Sequence, residues 1–287
     1  MVLGVKMISV KELQSIDLSS YTIIFTAIGV LFSIIMSLIL TLIMGILGPE
    51  SLGIAIYIIP TIVVGTFMIG IYRYFSEGLF YNLLAKKLRN IKIALNEGEI
   101  VKISPTETAT ILATIATIQA ILLYLASVLI FPLLINTFIQ TLLFSGQQFL
   151  AMELYQLLMI ISQPITIIMF IFGTFVLTFI SVLIGVYIYN ILASKGRAVE
   201  LELSEENGMT VIDSIDMMKF AIAVSIISGI LNLIFGIIML ISGGNVITLI
   251  SNVITGFVGG FIAAALLAIF YNYLAPKIGK LKIKLTI

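Results

Sequence analysis

The chain has 287 residues, 61% of them hydrophobic and 10% charged, with a net charge of +1 and a mean hydropathy of +1.24. Soluble domains are about half apolar and about a quarter charged, so this composition excludes a soluble globular protein. Cys, His and Trp are absent, which removes thiol nucleophiles, disulfides, thiolate metal sites and the commonest general base.

In chain order, the first seventeen residues carry Lys6, Lys11, Glu12 and Asp17 with no cleavage site behind a short apolar core, and read as a retained cytoplasmic start. Apolar runs then predict six transmembrane helices at about 19–47, 53–86, 106–134, 158–194, 214–241 and 247–277, each long enough to cross about 30 Å of hydrocarbon. Between the helix pairs lie alternating arms around Gly-containing turns: 91–95 with 99–103, and 199–203 with 209–212. With 7–10 and 281–285 they predict six short strands in a small cytoplasmic sheet, one face on a membrane-side core and the other in water. Ser104-Pro105-Thr106-Glu107 reads as a capping box, with Asp213 in the matching place further on and Asp17 a third candidate. The stretch 135–163, with Gln140, Gln147, Gln148 and Glu153, predicts an interfacial helix on the outer face.

One phrase, Tyr-Asn-x-Leu-Ala-x-Lys, occurs three times: at Tyr81, Asn82 and Lys87; at Tyr189, Asn190 and Lys195; and at Tyr271, Asn272 and Lys277. A strand-like alternation starts four residues after each Lys, at Ile91, Val199 and Leu281. Long-period self-similarity of this kind marks a repeat architecture. The reading is an all-α polytopic membrane protein of three tandem β-α-α-β repeats, at 1–96, 97–204 (with the insertion at about 135–163) and 205–287. An even number of helices per repeat returns the chain to one face. All of the 15 basic residues except Arg73 lie in the termini, the connectors or the adjoining helix ends, and the hairpin-closing loops carry none. By the positive-inside rule the protein is multi-pass in the cell membrane, with both termini cytoplasmic.

The phrase itself suits a membrane-exit anchor, with Tyr at headgroup level and Lys beyond it. Its Asn needs a hydrogen-bonding partner, either in helix packing or in a polar constriction lined by Asn82, Asn190 and Asn272. Arg73 and Glu77 bring charge inside a span at i, i+4 spacing and are candidates for an intramembrane ion pair. Gly256, Gly260 and Ala264 give the last helix a smooth strip, and Phe67, Phe175 and Phe257, each fourteen residues before a motif Tyr, read as core. The acidic run Glu200, Glu202, Glu205 and Glu206 reads as a solvated face, and Lys277, Lys280, Lys282 and Lys284 as contacts to anionic headgroups.

From Tyr271-Asn272 through Leu285 the chain resembles an uncharacterised family of small prokaryotic membrane proteins, in which a helical hairpin ends in Tyr-Asn, a Gly-Gly step and a short terminal strand. Gly279 stands alone where that family has the pair, and Gly196 is the trace of it in the second copy. The resemblance implies no activity. No catalytic, cofactor-binding or metal residue is assigned, because the spans hold no Ser-His, paired-carboxylate or metal constellation. The expected function is that of a non-enzymatic scaffold or subunit of a membrane complex. Its partners are the lipid bilayer and another membrane protein, met through the cytoplasmic sheet or the 135–163 insertion, with no nucleic acid. The alternative is a channel, transporter or lipid-handling protein with a pathway between the repeats.

Overall fold

The computed structural model describes residues 8–161 and 163–286; Lys6 and Met7 lie outside them. The described elements are β1 (Ser9–Ile16), α1 (Leu18–Leu47), α2 (Pro49–Ala85), β2 (Ile91–Asn96), β3 (Glu99–Ile103), α3 (Pro105–Phe144), α4 (Gln148–Ile161), α5 (Pro164–Ser194), β4 (Val199–Glu206), β5 (Met209–Ile215), α6 (Met217–Ile241), α7 (Val246–Ile278) and β6 (Leu281–Thr286). Among the described residues six helices carry spans long and apolar enough to cross a membrane: Leu18–Ile46, Tyr57–Ala85, Pro105–Ala126, Ile165–Ser194, Met217–Ile241 and Val246–Ile278. The chain is a multi-pass, predominantly helical membrane protein. It forms two compact units, Ala109–Leu183 and the remainder.

Several boundaries differ from the sequence reading. Helix α2 begins at Pro49, directly after Gly48 in a left-handed conformation at φ 137°. Proline suits that first turn, where its missing N–H would find no partner. Helix α3 runs unbroken through Pro132 to Phe144, and the expected interfacial segment is divided between its last turns and α4. The break falls at Gly146, at φ 78°, where the Gln147 N–H reaches back to the Leu142 carbonyl. Phe67 is 47% exposed and so is not core, whereas Phe257, 38% exposed, lays its ring against Gly229 of α6.

The strands close into a barrel in chain order, β1 to β6, with β6 pairing back onto β1 and every pair antiparallel. The expected sheet of six strands is closed on itself, and a closed barrel leaves no strand with an edge free along its full length. Strands β1, β3 and β5 each run directly into a helix, while β2–β3 and β4–β5 are joined by two-residue turns. Both central residues of each turn have positive φ: 49° at Glu97 and 90° at Gly98, 52° at Asn207 and 75° at Gly208. That geometry matches the twist of hairpin strands. Each leading strand also carries one extra residue: Gln14 in β1 against β6, Val101 in β3 against β2, and Asp213 in β5 against β4. Bulges of this kind increase local twist and bend the strand, which a narrow barrel requires.

In the larger unit, the core joins barrel to helices: Ile24 and Ile28 of α1, Tyr271 and Ala275 of α7, and Ile212 and Leu281 of the barrel are buried together. A second cluster joins Tyr189, Ala193, Ala198 and Val199 to Ala223 of α6. Phe32 of α1 meets Phe270 of α7 with ring centroids 5.1 Å apart. Gly256 and Gly260 face Asn232 and Ser228 of α6, where a β-carbon would collide, so the small-residue strip lets these two backbones approach closely.

Candidate functional site

The thrice-occurring phrase sits at the ends of α2, α5 and α7, where each helix meets the barrel, and its asparagines make the same bonds at all three places. Asn82 accepts the Ile16 N–H at 2.8 Å and donates to the Ile16 carbonyl at 2.8 Å. Asn190 does the same to Ile103 at 2.9 and 2.8 Å, and Asn272 to Ile215 at 2.9 and 2.9 Å. Each clamped residue is the last of its leading strand, two positions beyond the bulge. A strand that ends at a bulge leaves a backbone donor and acceptor unpaired, and a primary amide supplies the complementary pair.

The tyrosines complete the junction. The hydroxyls of Tyr81, Tyr189 and Tyr271 donate to the carbonyls of Leu13, Ile100 and Ile212 at 2.6, 2.6 and 2.5 Å. The Tyr189 and Tyr271 hydroxyls also accept the N–H groups of Val199 and Leu281, both at 3.1 Å. Ile91, Val199 and Leu281 are the register partners of Leu13, Ile100 and Ile212. Each hydroxyl therefore lies between two paired strands, and those of Tyr189 and Tyr271 relay one backbone bond from strand to strand. The rings are 3%, 6% and 0% exposed. Buried alanines, Ala85, Ala193 and Ala275, lie one turn further along and let each helix seat against the barrel, whereas Lys87, Lys195 and Lys277 are exposed. The asparagine oxygens are engaged by strand N–H groups, which is a packing role.

The helix starts are tied to the same ring. The N–H groups of Asp17, Ser104 and Asp216 bond to the carbonyls of Lys282, Lys92 and Glu200, at 3.0, 2.9 and 2.9 Å. Two of these links join neighbours along the chain; the third joins the last strand to the first helix. Asp17 and Asp216 cap α1 and α6 by accepting the N–H of Ser20 and of Lys219. This corrects two expectations. Asp213 is not a cap but the bulge residue of β5, paired with Lys280 at 2.7 Å. The Ser104 hydroxyl accepts the Lys92 N–H from β2 at 3.0 Å, so it ties strand to helix.

Arg73 Nε lies 2.9 Å from Glu77 Oε1, and the other Glu77 oxygen accepts the Tyr21 hydroxyl of α1 at 3.0 Å. Tyr21, Phe25 and Tyr74 pack edge and face around this group, and the Arg73 guanidinium lies 5.6 Å from the Tyr74 ring centroid. The guanidinium side is 62% exposed and the carboxylate side 22%, so the pair bridges α1 to α2 at the protein surface. The C-terminal lysines are largely committed: Lys280 to Asp213, Lys282 to Glu206 at 2.9 Å, and Lys277 over the Tyr273 ring. A groove of about 400 Å³ beside the α1 start is lined by Asp17, Ser20, Glu206, Lys280 and Lys282, with charges of both signs.

One constellation escaped the sequence reading. Glu99 and Glu200 are direct cross-strand neighbours on β3 and β4, and Lys219 Nζ lies 2.8 Å from one and 2.6 Å from the other. Like charges opposite each other destabilise a strand pair, and the bridging ammonium reverses the sign. Its three residues are 120 apart at the extremes, and the only available signal was a lone Lys near the start of an otherwise charge-free helix. Among the described residues no three His, Cys, Asp or Glu side chains come together as a metal site needs. Compared with family models, curated proteins and solved structures, the chain has no match.

Proposed function

We propose that the protein is a non-enzymatic scaffold or subunit of a membrane complex, built as three tandem β-α-α-β repeats. On this reading the repeats close a barrel on the cytoplasmic face, where both termini also lie. The observation that carries the proposal is the engagement of the Asn amides and Tyr hydroxyls of the repeated phrase with strand backbone. Residues kept for catalysis or ion passage would present donors or acceptors to a cavity, whereas here two hydrogen bonds per Asn, one at Tyr81 and two each at Tyr189 and Tyr271 hold strand to helix. Each such bond contributes about 1 kcal/mol net and leaves a larger penalty when broken in a buried place. The sidedness is supported by helix parity, by the basic residues flanking the barrel, and by the three strands that each lead straight into a helix.

Purification of the tagged full chain from its native membranes in a mild detergent tests the function: a stoichiometric membrane partner is the expected result. No partner, together with ion or solute flux across vesicles holding the folded chain alone, would instead establish the pathway between repeats. Sidedness is read separately, since the chain is free of cysteine. Single cysteines in place of Lys87, Lys195 and Lys277 should all react from the cytoplasmic side.

A further inference from the structure

The barrel is closed, yet one of its seams is short. Strand β1 covers β2 from Leu13 opposite Ile91 to Ser9 opposite Leu95. Strand β4 stands to β3 as β2 stands to β1, since Ile100 opposite Val199 straddles the Tyr189 hydroxyl as Leu13 opposite Ile91 straddles that of Tyr81. Beyond Glu99 opposite Glu200, however, β3 leaves at the Glu97-Gly98 turn, and the last bond is from the Leu201 N–H to the Gly98 carbonyl at 3.0 Å. Strand β4 continues to Glu206, paired on its other side with β5 throughout. Backbone groups alternate along a strand, so the N–H and C=O of Leu203 and Glu205 point the same way as the Leu201 N–H. No described strand lies opposite them. Glu202, Ser204, Glu205 and Glu206 are all exposed.

From this geometry we infer that the free edge of β4 beyond Leu201 receives an extended basic peptide by strand addition, starting in the place that Ser9 and Val10 occupy on β2. Strand β4 reads Val-Glu-Leu-Glu-Leu-Ser-Glu-Glu and carries no basic residue. A second copy of the same edge would set glutamate against glutamate, so self-pairing is disfavoured and a basic strand is favoured. The internal precedent is Lys92 on β2, directly opposite Glu12 of the covering strand with the charges 3.5 Å apart. Segments of membrane proteins on the cytoplasmic face carry an excess of Lys and Arg, and backbone ladders give such docking its affinity. The inference rests on the scaffold reading and names where that scaffold holds its partner.

The test uses the full chain in detergent micelles, with amide exchange read at Leu201, Leu203 and Glu205. Without peptide, Leu203 and Glu205 should exchange freely while Leu201 is protected. A short synthetic peptide alternating Lys and Val should slow Leu203 and Glu205 by about tenfold or more, a range set by local opening. A version with a central proline should not, and Glu202→Gln with Glu205→Gln should weaken the protection. Leu203 and Glu205 as slow as Leu201 in the free protein would overturn the inference, as would equal effects of the two peptides, which would mark mere electrostatic adsorption. A native partner that co-purifies yet leaves these two amides exchanging freely would overturn it while leaving the scaffold standing. Peptide capture without any native partner would do the reverse.

Discussion

The β1–β2 and β3–β4 seams join equivalent strands by different means. The first is a ladder along β1 from Ser9 to Leu13, with one cross-strand ion pair between Glu12 and Lys92. The second has its two register pairs at Glu99–Glu200 and Ile100–Val199, and there a turn glycine and a lysine from α6 supplement the tyrosine hydroxyl that both seams share. A barrel can thus stay closed across a seam that its own ladder hardly holds, provided side chains supply the missing partners. The arrangement concentrates consequence in a few residues of the short seam and spreads it thinly over the long one.

The largest expected effect comes from Gly98. Its φ of 90° is left-handed, and a β-carbon there would overlap the Leu201 carbonyl. Gly98→Ala should cost about 2–4 kcal/mol, in the range of strained backbone substitutions. Gly208→Ala, at φ 75° with nothing near, should cost about 1 kcal/mol from the backbone conformation alone. Unfolding in mixed micelles followed by circular dichroism measures both, and equal losses would mean that the seam does not depend on that close approach.

Next come the hydroxyls. Tyr189→Phe leaves the Ile100 carbonyl and the Val199 N–H unpaired and should cost about 1–3 kcal/mol. Tyr81→Phe should expose less, because β1 continues along β2 for several residues beyond the lost bond. Amide exchange near Val199 should therefore accelerate more in the first variant than exchange near Ile91 in the second; the opposite order would undo the contrast between the seams.

A smaller effect is expected at Lys219. Lys219→Met leaves Glu99 and Glu200 facing each other without a cation and should loosen the β3–β4 seam. Adding Glu200→Gln should recover part of the loss, so the double variant should be more stable than the single one. Additive losses would mean that the two carboxylates do not repel.

The smallest effect is acid dependence. Asp213 is held below its usual carboxylate range by its hydrogen bond to Lys280, assisted by Ser204, and Glu12 by Asn90 and then Lys92. A depressed carboxylate stabilises the fold above its unfolded pKa, and the contribution disappears as pH falls through the folded value. Stability should therefore decline below about pH 4, near the ordinary Asp range. Asp213→Asn should flatten part of that decline; an unchanged acid limb would show the pair to be inert.

Much of this molecule was legible from residue order. Charge-free runs announced the spans because hydrocarbon tolerates few ionised side chains, and the phrase at Tyr81, Tyr189 and Tyr271 pointed to equivalent places in the chain. Alternation at 91–95 and 199–203 marked strands, since a period of two follows from the pleat. The bulges at Gln14, Val101 and Asp213 left no such trace, because an inserted residue is defined only against its partner strand. Asp213 was therefore taken for a cap when Asp216 holds that place.

Local order along the chain thus determined that the protein carries six membrane-spanning helices and that three of them end on the same Tyr-Asn step. Only the tertiary structure decided that the strands close into a ring, that the Tyr189 and Tyr271 hydroxyls relay a bond between strands, and that Lys219 separates two glutamates. The reason is distance in sequence: helix and strand periods arise from neighbours, whereas Tyr189 to Ile100 and Lys219 to Glu99 join residues 89 and 120 positions apart, which no local pattern specifies.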